Sequence, residues 1–159
     1  MKLGVTGTRK GMTDAQRKAI LRIFTEIKQG VHELHHGDCV GVDNQVAVLA
    51  DLFLFDTVCH PPLKDDLRAF HHSTERREKK SYLERDRDIA NEADMLFVIP
   101  YEEENTGEGG TWYTNNYAEK TGTSRTIIYP SGRIEIVISE KDRDLLELSK
   151  QHDLTSFCD

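Results

Sequence analysis

Cysteine is scarce in this chain, and its placement excludes a disulfide scaffold. Only Cys39, Cys59 and Cys158 occur. They show no CxxC spacing, and three thiols leave one unpaired whatever bonds form, which fits a reducing compartment and makes the cytoplasm the expected location. Long apolar runs are also missing. Nothing approaches the roughly 18 to 20 apolar residues that span a bilayer, and the N-terminus carries no secretory h-region, so no membrane partner is expected. Positive charge is in deficit: 21 Lys and Arg stand against 28 Asp and Glu, a formal net charge of −7. A duplex would meet net repulsion unless the basic residues gathered on one face, so nucleic acid is an unlikely partner on charge grounds. The one dense basic run, Arg76, Arg77, Lys79 and Lys80, fits either a phosphate contact or a solvated face. Internal repeats and low-complexity segments are absent as well. At 159 residues the chain suits one domain, residues 1–159, with a real core.

What is present is an alternation of strand and helix signals. The apolar opening Met1 to Thr6 predicts a buried strand. Thr13-Asp-Ala-Gln16 is a capping box that starts a helix, whose apolar positions Ile20, Leu21, Phe24 and Ile27 keep helical spacing until Gly30. Strands are predicted next at Val31 to His35 and Phe55 to His60, with a helix from Asn44 to Phe53 between them. From Leu63 to Lys80 the pattern dissolves into charge and histidine, which predicts a loop or a short helix. A charged helix follows from about Ser81 to Glu92, then the clearest buried strand, "DMLFVIP", Asp94 to Pro100. A helix from Gly110 to Lys120 stopped by Gly122, a strand at Thr126 to Tyr129 and a further strand at Arg133 to Ile138 complete the series. Residues about 139–152 form a last helix, capped by Ser139, as a solvated packing element. This order predicts an α/β fold: a doubly wound, mostly parallel sheet with helices on both faces, and ligands at the carboxyl ends of the strands.

Glycine concentrates at those strand ends. In "GVTGTRKGMT", Gly4, Gly7 and Gly11 accompany Thr6, Thr8 and Arg9. A loop that enters a helix N-terminus exposes unpaired N–H groups and the positive end of the helix dipole, which together favour an anion. Gly7 and Gly11 would let it approach, the threonines supply hydroxyl donors and Arg9 a planar fork. The alternative is a tight turn with a solvated arginine, since the spacing is neither GxGxxG nor a P-loop. In "HHGDCVGVD", Gly37 and Gly41 again allow close approach. Asp38 suits sugar hydroxyls or a turn, and Asp43 suits the cap of the next helix better than a ligand. His35, His36, Cys39, Cys59 and His60 raise the question of zinc. Adjacent strand residues point to opposite faces, so His35 and His36 do not serve one ion, and no metal site is expected. In "GEGGTWYTNNYAEKTG", Gly107, Gly109 and Gly110 precede Thr111, which suits a helix cap or a phosphate. Trp112 and Tyr113 suit either a stacking platform or an anchor to the core.

"GVTGTR", "HGDCVGVD", "ERDRDIANEADMLFVIP" and "GEGGTWYTNNYA", in this order over most of residues 3 to 130, resemble the SLOG superfamily. These are Rossmann-like nucleotide-binding domains that include the cytokinin-activating LOG phosphoribohydrolases, the DprA/Smf DNA-processing proteins and the small YspA/YpsA-like proteins; the short "GDCVGVD" loop looks most like the last branch. The resemblance implies a nucleotide or nucleotide-derived small molecule as partner, a homodimer or higher homo-oligomer, and no separate cofactor. In the LOG enzymes an arginine and a glutamate assist cleavage of the N-glycosidic bond of a nucleoside 5′-monophosphate. Arg85 matches that arginine, and Gly109, Gly110 and Thr111 match the phosphate-binding end. The glutamate does not match: Thr114 stands there and cannot act as a carboxylate. Glu102 to Glu104, Glu108 and Glu119 are the acids available to replace it. The leading expectation is a SLOG-like ligand cleft with phosphate on Gly7, Thr8, Gly110 and Thr111, Gly37 and Gly109 in its binding loops, sugar near Asp38, and Arg9 or Arg85 closing on the anion. It leaves three outcomes: a phosphoribohydrolase, a non-catalytic nucleotide sensor or sequestering protein, and, least favoured, a DNA-binding protein.

Overall fold

The computed structural model describes residues 1–155, with side chains to residue 150; Cys158 lies outside the described residues. Seven strands form one sheet: β1 (Lys2–Gly7), β2 (Glu33–His36), β3 (Asp56–Cys59), β4 (Glu75–Arg76), β5 (Met95–Ile99), β6 (Ser124–Ile128) and β7 (Ile134–Val137). Their order across the sheet is β4-β3-β2-β1-β5-β6-β7. All neighbours are parallel except β7, which returns antiparallel to β6 with Thr126 opposite Ile136. The turn Tyr129 to Arg133 is too short for a crossover helix, so this last strand has to run back.

Among the described residues there are five α-helices: α1 (Asp14–Ile27), α2 (Val42–Leu52), α3 (Tyr82–Glu92), α4 (Gly109–Thr121) and α5 (Glu140–Thr155). Thr13 caps α1, and its reciprocal partner Gln16 completes the capping box read from the sequence. Ser81 and Glu84 repeat that device at α3. Gly122 ends α4 in the left-handed conformation at φ 77°. Helices α1 and α2 cover one face of the sheet, where Ile20, Phe24, Val46 and Leu49 meet Leu3, Leu34 and Phe97. Helices α3 and α4 cover the other, where Ile89, Trp112 and Ala118 meet Leu96, Val98 and Ile127. Each such buried side chain contributes about 1.5–3 kcal/mol, so both faces are firmly clad.

The segment from residue 63 to 80 departs from the expected loop or short helix. It adds the two-residue strand β4 at the sheet edge, and Pro62 bridges to Lys80. Too few residues pair there for a period to show in the sequence. Ser139 does cap α5, accepting the Asp142 N–H at 3.3 Å. Beyond that turn, Leu145, Leu146 and Leu148 are more than half exposed. Among the described residues no helix is long and apolar enough to cross a membrane.

The chain leaves β1 toward β2 on one side and leaves β5 toward β6 on the other. The neighbouring carboxyl ends of β1 and β5 are therefore the point where the winding reverses, and a crevice opens there.

Candidate functional site

That crevice is a cleft of about 520 Å³. One wall is the loop after β1. It is tied down by the Thr8 N–H, which donates to the Ile99 carbonyl at 3.1 Å, and by the Val42 N–H, which donates to the Thr8 carbonyl at 3.1 Å. Gly7 is required for this closure: a Cβ there would lie 2.3 Å from Val42 Cγ1 and 2.8 Å from the Ile99 carbonyl oxygen. Arg9 and Lys10 extend from the loop over aromatic rings, Arg9 over Tyr82 at 5.3 Å and Lys10 over Tyr101 at 3.8 Å.

The facing wall is the N-terminus of α4. Its N-cap residue, Glu108, makes no side-chain capping bond. The N–H groups of Gly110 and Thr111 lie in the first turn, where no intrahelical acceptor exists. Thr111 sits inside this helix and does not cap it. Trp112 is the anchor of the two roles open to it: it is 1% exposed, packs in the core and donates from Nε1 to Glu102 at 3.0 Å.

The floor comes from α3 and α2. Arg85 is buried, with its guanidinium against three groups: Cys39 Sγ at 3.1 Å from Nη2, and Asp86 at 3.5 Å and Asp43 at 3.8 Å from Nη1. Its Nε is buried without a partner. Burial pushes the Asp43 carboxyl up to about 6, with Arg85 opposing the shift and Asp86 adding to it. Burial raises the Asp86 carboxyl as well, again against Arg85. For Arg85 burial works against the charge, but Asp86 and Asp43 outweigh it and hold the group above its ordinary value.

Seven sequence-predicted residues thus line one cleft: Gly7, Thr8, Arg9, Arg85, Gly109, Gly110 and Thr111. Gly37 and Asp38 do not. Gly37 lies behind the Arg85 guanidinium. Asp38, at φ 57°, is fully buried and turned away toward the segment after β3. It accepts from Arg68 Nε at 2.8 Å and from the His71 N–H at 2.9 Å. Both its oxygens are occupied in holding that segment, so it is not placed for a sugar in the cleft. Asp43 does not cap its helix either. Gly41 takes the N-cap position, and Asp43 accepts from the Gly37 and Cys39 N–H groups at 3.1 and 3.4 Å.

Asp86 is the site residue that sequence reasoning missed, and Asp43 is one it assigned to a helix cap instead of the cleft. A signal for Asp86 existed: Arg85 and Asp86 stand four residues before Ile89 and Ala90, which places all four on the buried face of α3. Of the acids proposed to replace the missing glutamate, Glu119 pairs with Arg125, Glu103 binds Ser131 and Glu102 holds Trp112. Glu108 stays at the cleft rim. Thr114 is buried and its hydroxyl donates to the Gly110 carbonyl at 2.8 Å.

No protein-family model and no curated protein matches the sequence. Solved structures do share its architecture. The X-ray structure of TM1055, a structural-genomics target, superposes with a TM-score of 0.58 at 16% identity, over 78% of this chain and 71% of that one. DNA processing protein A from Helicobacter pylori, a protein with a single-stranded DNA binding mode, gives 0.58 at 18% identity over 94% and 73%. DNA processing protein A (DprA) from Streptococcus pneumoniae gives 0.57 at 13% identity over 80% of this chain. The shared fold is a mostly parallel, Rossmann-like α/β sheet. The chain spans about half of the pneumococcal protein, 49% of its length, and at these identities the likeness is one of fold.

Proposed function

We propose that the cleft binds a nucleotide or nucleotide-derived ligand through its phosphate. One observation carries this reading: the first turn of α4 and the loop after β1 face each other across a cleft floored by a buried arginine whose Nε has no partner. Free helix-end N–H groups and a guanidinium together suit an anion. The phosphate sits on Thr8, Gly110 and Thr111, with Arg9 and Arg85 closing on it. Tyr82 and Tyr101 border the same space and offer flat surfaces to a base.

Two features favour a mononucleotide over a nucleic-acid strand. The loop after β5 brings Glu102 and Glu108 to the cleft, where they repel a run of phosphates. The basic run at 76–80 is largely neutralised within the protein: Arg77 pairs with Glu75 and Glu92, Lys79 with Asp65 and Lys80 with Asp88. A protein purified natively, denatured and analysed by mass spectrometry should release a phosphorylated nucleoside. Calorimetric titration with nucleoside monophosphates should show binding, and a single-stranded oligonucleotide should not compete at moderate salt. Competition by the oligonucleotide at the same site would overturn the preference.

A second reading, N-glycosidic hydrolysis of the bound monophosphate, is favoured by one specific feature. Asp86 is a buried carboxylate beside Arg85 that lines the cleft, and it can serve as the acid–base group in place of the absent glutamate. Release of free base, followed by chromatography, separates this reading from a sensor or sequestering protein.

A further inference from the structure

Three ligand-type side chains from three elements meet between the sheet and α3, apart from the cleft. They are His35 of β2, His60 just after β3 and Glu92, the last residue of α3, and one donor atom from each lies within 4.8 Å of the others. His35 Nε2 stands 2.9 Å from Glu33 Oε1. A carboxylate only accepts, so Nε2 carries the proton, and in a neutral ring Nδ1 is then a bare lone pair. That lone pair faces His60 Nε2 at 2.9 Å and Glu92 Oε2 at 3.5 Å. A proton on His60 satisfies the first contact. The second brings Glu92 Oε2, which Arg77 Nη2 already holds at 2.8 Å, close to the same nitrogen, so a cation placed among the three donor atoms would meet all of them.

We propose that His35 Nδ1, His60 Nε2 and the Glu92 carboxylate form a binding site for one divalent transition metal ion of the zinc class. Two imidazoles and a carboxylate are a donor set zinc accepts, leaving a fourth tetrahedral position. Glu33 supplies the outer carboxylate that fixes the tautomer and orientation of a ligating histidine. Glu33 and Glu92 together set two negative charges against the ion, Lys2, whose Nζ lies 3.3 Å from Glu33 Oε1, and Arg77, whose Nη2 donates to Glu92 Oε2 at 2.8 Å. On binding, the His60 Nε2 proton moves to Nδ1, and the two ring nitrogens spread slightly from their 2.9 Å separation. Glu92 is about one-third exposed, which gives the ion a route in. The adjacency of His35 and His36, which argued against zinc in the sequence, is no obstacle, because His36 faces the other way and plays no part. The partners of His35 come from the next strand and from a helix over thirty positions on.

A second group, His36, Asp38 and Cys59, also clusters, but its donors are already committed. His36 is bonded to Ser73 and to the Asp38 N–H, and Asp38 to Arg68 and the His71 N–H. A metal at the first site would clamp β2, β3 and the end of α3, the helix whose first half carries Arg85 and Asp86.

The test strips the full chain with a chelator and titrates it with Zn²⁺ and Co²⁺ alone. The expected result is one equivalent bound, cobalt absorption typical of four-coordination without a thiolate charge-transfer band, and a melting temperature raised by zinc. Glu92→Gln, at a partly exposed position that leaves the core untouched, should abolish the cobalt spectrum and the zinc-dependent rise, and Glu33→Gln should weaken affinity about 10- to 100-fold. Three results would overturn the proposal: no stoichiometric binding, binding undiminished in Glu92→Gln, or a thiolate band that Cys59→Ser removes. The first would leave the three side chains a hydrogen-bonded group that holds no metal, and the last would move the ion to the second cluster.

Discussion

Gly37 lies directly against the guanidinium of Arg85: a Cβ at residue 37 would stand 1.3 Å from Arg85 Nη1 and 2.8 Å from Asp43 Oδ2. The absence of a side chain on β2's exit loop is what lets an arginine of α3 reach the floor of the cleft. Gly37→Ala should therefore push the guanidinium out of its place between Asp43 and Asp86. The cost should be about 1–3 kcal/mol, the range for overpacking a tight interior, read as a lowered urea midpoint. Nucleoside monophosphate affinity should fall with it. A variant that loses no stability and binds normally would show that the guanidinium is not fixed by this contact.

Gly110 offers the complementary test. A Cβ there meets nothing closer than Asp86 Oδ2 at 3.9 Å, so Gly110→Val should fold. Its side chain would instead occupy the space in front of the α4 N-terminus. Calorimetry should show nucleotide binding reduced at least tenfold with the melting temperature little changed. Unaltered affinity in the folded variant would move the phosphate away from this helix end.

The sheet and its helices were legible because their signals are local. The capping box at Thr13, the stop at Gly122 and the apolar run of β5 need only neighbouring residues to be read. The convergence of Gly7 with Gly110 was legible too, since strand ends in a doubly wound sheet share one edge. What failed was anything decided by a distant partner. The helix carrying Arg85 looks like a charged surface element, which would make Arg85→Ala harmless to the fold. In the structure Arg85 is 5% exposed and faces Asp43 from another helix. Its removal would strand two buried carboxylates, a loss of about 3–5 kcal/mol for a broken buried pair. Asp38 shows the same limit: Arg68 and His71, which occupy it, come from the one segment whose sequence has no period.

Asp43 gives the cleft a defined response to pH. Its carboxyl is pushed from 3.8 up to about 6 by burial, so the folded state binds its proton more tightly than the unfolded state. Its contribution is therefore favourable below pH 4 and is lost as pH rises through about 6, a loss on the order of 3 kcal/mol at about 1.4 kcal/mol per pKa unit. Asn at this position keeps an acceptor for the Gly37 N–H and carries no charge. Relative to wild type, Asp43→Asn should gain stability between about pH 4 and pH 6 in urea unfolding and level off above that. Parallel profiles for the two proteins would place the ionisation elsewhere.

The proposed hydrolysis rests on Asp86. Its carboxylate lies beside Arg85 and, as an acid held above its ordinary value by burial, can exchange a proton with a leaving base or an attacking water. Asp86→Asn should lower base release from nucleoside monophosphates by about 100-fold or more, the contribution of a positioned acid–base group. Affinity should hold or rise, because a negative group near a bound anion is removed. Retained turnover would shift the role to Glu108 at the rim. Tight binding with no base release, in wild type and variant alike, would assign the cleft to sensing or sequestration, with the buried Asp43–Arg85–Asp86 group serving to set the charge of the floor.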